Sequence, residues 1–133
     1  MGIEPVPQPR GDFDEHVRDL RHAVWEVRRD ACEGLAQLGD ARAVPPLLAM
    51  LDDQVGGVRF AAAEALGKLG DPGAVPHLLQ RLKDSHFGAL GPLIESLANL
   101  KAVEAIPYFI RFLRDHDARV RGLAANALMV MTR

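Results

Sequence analysis

Displaced by 31 residues, the sequence falls on itself. Leu38, Leu69 and Leu100 come into register, as do Val44, Val75 and Ile106, then Pro45, Pro76 and Pro107, then Leu51, Leu82 and Leu113. Leu35, Leu66, Leu97 and Leu128 extend the pattern to a fourth unit, and a Val-Arg pair returns at Val27-Arg28, Val58-Arg59 and Val120-Arg121. A fixed period without insertions marks a stack of small units, each unable to bury its apolar face alone.

The unit is two helices. Val58, Ala62, Ala65, Leu66 and Leu69 fall on one face of a helix, and Val75, Leu78, Leu79 and Leu82 on one face of the next. Gly70-Asp71 between them supplies a residue that tolerates the left-handed turn after a helix, then a cap for the following one. The pattern predicts second-type helices near 25–38, 57–69, 88–100 and 118–131. First-type helices are expected near 12–22, 41–52, 72–83 and 102–114, with a mild bend at Pro45, Pro76 and Pro107. The expectation is an all-α fold, an α-α superhelix of about eight antiparallel helices spanning 12–133. Residues 1–11, rich in Pro and Gly, read as a disordered leader.

Composition narrows the function. A net charge of −2 with both signs interspersed lacks the basic field of a nucleic-acid binder. No apolar stretch is long enough to cross a bilayer. One cysteine, Cys32, excludes an internal disulfide and a Cys-rich metal site and fits a reducing compartment, so a cytoplasmic protein is expected. Cys32 aligns with Ala63, Ile94 and Ala125, as a buried small hydrophobe would. The histidines form no ligand pattern, Ser85 and Ser96 have no evident base, and no phosphate loop occurs. Neither catalysis nor a cofactor is expected.

The string Val58-Arg59-Phe60-Ala61-Ala62-Ala63-Glu64-Ala65-Leu66-Gly67-Lys68-Leu69-Gly70-Asp71-Pro72-Gly73-Ala74-Val75-Pro76-His77-Leu78-Leu79 resembles the HEAT-like repeat of the phycobilisome-lyase type. Val27–Leu48 resembles it too, and the unit from Gly88 is degenerate, with Leu90 in place of Arg and Lys101-Ala102 in place of Gly-Asp. The resemblance covers 12–133. It implies a ladder between units, made by an Asp that ends the first helix and an Arg that opens the second. Asp53–Arg59 and Asp115–Arg121 keep the spacing, while His22–Arg28 and Asp84–Leu90 keep half of it. Two enzyme families on related repeats do not fit. The paired His-Glu motifs of deoxyhypusine hydroxylases are absent, and the basic aromatic face of alkylpurine glycosylases is replaced by acids.

The resemblance places second helices on the concave face. There Glu33, Glu64 and Glu95 stand one period apart and suit a basic protein or peptide. Gly57, Ala61, Gly88, Gly91 and Gly122 leave a shallow groove with Trp25, Phe60, Phe87 and Leu123 near its edges. Lys68, Asn99 and Asn126 complete the expected partner surface. Trp25 and Phe87, one aligned with the other, read as plugs of inter-helix turns. Phe60 aligns with Arg29 and Gly91, so packing does not demand an aromatic there. Leu128–Met131 lie where no further helix follows, which predicts a homodimer through the final helix. The leading expectation is a non-catalytic protein-binding or scaffold module. The alternative implied by the resemblance is a bilin chromophore lyase or chaperone, or an accessory domain of a larger enzyme; Lys68 and Arg119 alone on the stripe could meet the propionates of a bilin.

Overall fold

The computed structural model describes residues 12–83 and 90–133, and these form eight α-helices with no strand among them. The expected leader at 1–11, and Asp84, Ser85, His86, Phe87 and Gly88, lie outside the described residues. Four helix pairs follow one another: α1 (Phe13–Asp19) with α2 (Trp25–Leu38), α3 (Val44–Met50) with α4 (Gly56–Leu69), α5 (Val75–Lys83) with α6 (Leu90–Asn99), and α7 (Ile106–Phe112) with α8 (Ala118–Met131).

The bend expected at the prolines takes a specific form. One 3-10 turn (Ala41–Ala43, Pro72–Ala74, Val103–Ala105) precedes each of α3, α5 and α7. Pro45 and Pro107 then sit in the first α-turn, where the missing N–H costs nothing. Asp40 and Asp71 cap the 3-10 turns by accepting from the N–H of Arg42 (2.9 Å) and Gly73 (2.8 Å). Gly39 and Gly70 end α2 and α4 with φ of 69° and 71°. The degenerate third unit makes the same left-handed turn with Lys101 at φ 57°, a conformation that costs a side-chain-bearing residue more than glycine.

Neighbouring units meet chiefly through their second helices: α2 packs on α4, α4 on α6, and α6 on α8. Each first helix packs on the second helix of its own pair, and first helices barely touch one another. The array therefore fans out on the first-helix side. The inner row is close-packed because its contacts are small: Ala31, Ala62, Ala63, Ala65, Ala98 and Ala124 are buried, with Leu35, Leu66 and Leu97 fully so.

Candidate functional site

Described residues of neighbouring second helices form two grooves in the inner row. The first runs between α2 and α4, with Gly56, Gly57 and Ala61 as floor, Trp25 and Phe60 as apolar walls, and Arg29, Glu33 and Glu64 at the rim. It encloses about 450 Å³. Gly57 makes it: a β-carbon there would stand 2.8 Å from the Trp25 ring, so only glycine lets the indole lie down on α4. Phe60 is 48% exposed, far more than an aromatic side chain whose task is packing. Glu33 is exposed and carries no ion pair among the described residues, and Glu64 meets Lys68 only at 4.0 Å.

The second groove lies between α6 and α8, lined by Glu95, Ala98, Asn99, Leu123, Asn126, Ala127 and Val130. The ten residues singled out from sequence thus divide. Glu33, Gly57, Phe60, Ala61 and Glu64 share the first groove, and Glu95, Asn99, Leu123 and Asn126 share the second. Lys68 lines neither.

One groove residue, Arg29, escaped the sequence reading. Trp25, expected near the groove's edge and weighed there as a plug of the inter-helix turn, is half-buried against Gly57 and forms one wall. Arg29 brings a positive charge to the rim, its guanidinium 5.2 Å from the Trp25 ring centre and 3.1 Å from the Asp30 carboxylate. A signal existed for Arg29, because its repeat-mates are Phe60 and Gly91; a position that changes character from unit to unit is not set by packing.

The ladder between units takes a specific form. Six residues apart, the arginines reach backbone and not carboxylate: Arg59 donates to the Asp53 carbonyl (2.8 Å), Arg121 to the Asp115 carbonyl (2.7 Å) and Arg28 to the His22 carbonyl (2.8 Å). The carboxylate partner belongs to the following unit. Arg28 Nε and Nη2 donate to the two oxygens of Asp53 at 2.8 and 3.1 Å, with side chains only 16% and 8% exposed. Burial pushes the Asp53 carboxyl up, but hydrogen bonds from Arg28 and the Val55 N–H, with the charges of Arg28 and Arg59, hold it below its ordinary value. His22 stands in for Asp in the first unit, its Nδ1 accepting from the Val24 N–H (3.0 Å) as Asp53 accepts from Val55 (2.9 Å).

Among the described residues no three His, Cys, Asp or Glu side chains gather to hold a metal ion. Ser96 is buried and donates to the Ala63 carbonyl. Cys32 is fully buried, its thiol pushed up to about 12 by burial and then by the charges of Asp53 and Glu33. His77 is exposed, and no described helix is long and apolar enough to cross a membrane.

Comparison with known proteins agrees with this architecture. The complex of CpcE and CpcF of phycocyanin lyase from Nostoc sp. PCC7120 superposes with a TM-score of 0.69 at 22% identity, over 99% of this chain and 70% of that one. An engineered protein superposes with a TM-score of 0.69 at 22% identity, over 90% of this chain and 62% of that one. No curated protein matches in sequence. The family model for HEAT repeats matches residues 16–90, more than half of the chain, and the chain belongs to the HEAT-repeat family.

Proposed function

We propose that this chain is a non-catalytic protein-binding module that takes a basic, partly apolar segment of its partner in the α2–α4 groove. The observation that carries the reading is the company kept by Phe60: an exposed aromatic beside a glycine floor, opposite Trp25, under two carboxylates, of which Glu33 carries no ion pair among the described residues. Apolar anchors ringed by charge are the usual source of binding energy at protein surfaces. A lysine or arginine entering there would meet both aromatic faces and acids.

Trp25 is the only tryptophan, so its emission reports on this groove alone. A synthetic peptide alternating Lys, Arg and Leu should change that emission saturably, and a Glu-for-Lys/Arg counterpart should not. Phe60→Ala should weaken binding by about tenfold, the loss of one anchor. Glu33→Gln with Glu64→Gln should weaken it further and flatten its salt dependence. Equal response to both peptides, or none to either, refutes the reading.

A lyase-related or bilin-chaperone role is the second reading. It rests on the likeness in fold to the phycocyanin lyase structure and on Arg29, a groove cation that a propionate could use. The Asp30 carboxylate already engages that cation. A shift in phycocyanobilin absorbance on mixing, lost in Arg29→Gln, would favour this role over the first.

A further inference from the structure

Of the two aromatic walls of the α2–α4 groove, one is already in use by the chain itself. Arg29 lies one turn after Trp25 on α2 and holds its guanidinium 5.2 Å from the centre of the Trp25 ring. Nε and Nη2 both stand 3.1 Å from Asp30 Oδ1, and the side chain is 38% exposed. Glu33 follows by one further turn, a spacing that suits an ion pair with Arg29. That pair does not form. Arg29 engages Asp30 instead, and Glu33 is exposed with no ion pair among the described residues. The indole keeps the guanidinium from the acid.

Repeat packing does not ask for this stack. Gly56 stands one period after Trp25, and Phe60 and Gly91 stand one and two periods after Arg29. The stack shows instead what the Trp25 ring accepts: a planar cation with a carboxylate at the edge that carries its N–H groups. A guanidinium gains more from such a seat than an ammonium, because it lies flat on the ring and donates along its edge. The lining also holds one guanidinium against two carboxylates, Glu33 and Glu64, with Lys68 no closer than 4.0 Å to Glu64. A single negative charge is left for an incoming cation to neutralise.

On the reading of this groove as a protein-binding site, we infer that the partner presents an arginine, and that Arg29 is the occupant this arginine displaces from Trp25. Asp30 is the immediate neighbour of Arg29 on the exposed rim, so Arg29 keeps that ion pair as it swings off the ring. The partner's guanidinium takes the vacated face and meets Glu33. Arg29 therefore weakens binding by competing for the seat, where the other lining side chains strengthen it.

Two peptides of equal length and charge test this, alike except for arginine or lysine at every basic position, with leucine between. Each is titrated into the full chain while Trp25 emission is followed. The arginine peptide should bind about fivefold tighter than the lysine peptide. Arg29→Lys keeps the charge and gives up the flat stack, so it should tighten binding of the arginine peptide by about threefold. Arg29→Gln removes the charge as well and should tighten it further. Equal affinity of the parent for both peptides, or an Arg29→Lys variant that binds the arginine peptide no better than the parent, overturns the inference and leaves the groove a site for basic segments. No saturable response to either peptide removes that role, and this inference with it.

Discussion

Ser96 occupies the space that Gly67 leaves open. Its hydroxyl donates to the Ala63 carbonyl one turn away, and its own β-carbon would stand 2.9 Å from a β-carbon on Gly67. This pair sets how closely α4 and α6 approach. Because the Ser96 backbone α-carbon is as near as its β-carbon, both at 2.9 Å, Gly67→Ala has no rotamer to relieve it. The substitution should cost about 1–3 kcal/mol by overpacking, despite the better helix propensity of alanine. Urea unfolding measures it; an unchanged midpoint would mean that the two helices separate freely.

Acid should expose the worth of the Arg28–Asp53 pair. The folded Asp53 carboxyl lies below its ordinary value, so its stabilisation is complete above about pH 4, where the unfolded carboxyl titrates. It is lost as pH falls through the lower folded value. Asp53→Asn should therefore be less stable than the parent at pH 7 by about 1.5–3 kcal/mol, with the gap closing toward pH 2. A gap that stays constant with pH would assign the loss to packing.

Leu90 stands one period after Arg59, where the ladder calls for arginine, and the Asp115 carboxylate accepts from no arginine among the described residues. Leu90→Arg should restore a rung between the third and fourth units, a gain of about 1 kcal/mol. Thermal unfolding of Leu90→Arg, with and without Asp115→Asn, checks it: the gain should vanish in the double variant.

Cys32 should not react with thiol reagents in the folded protein, since it is fully buried and its pKa is raised to about 12. Labelling should proceed at the rate of global opening and accelerate with urea as unfolding does. Fast labelling at pH 8 without denaturant would contradict the placement of α2 against its neighbours.

The fold was legible because its determinants are repeated. Each apolar position is written three or four times, so a single exception such as Lys101 does not hide the turn. Both grooves were half legible. Phe60 could be picked out because its repeat-mates are unlike it, while the seat of Trp25 depends on Gly57, thirty-two positions along, giving way beneath it, which its own repeat-mates do not reveal. The ladder was legible as a link between units, though not in which arginine meets which carboxylate. Asp53 lies near Arg59 in sequence, but its carboxylate partner is Arg28 in the preceding unit, and nothing in a spacing of six reveals which of two nearby arginines takes the side chain and which takes the backbone.

The two grooves lie on either side of the Gly67–Ser96 joint, where α4 and α6 meet closely. An occupant confined to one groove leaves that joint alone. One long enough to press on both would act as a splint, bridging it and the junction beyond Leu90 together.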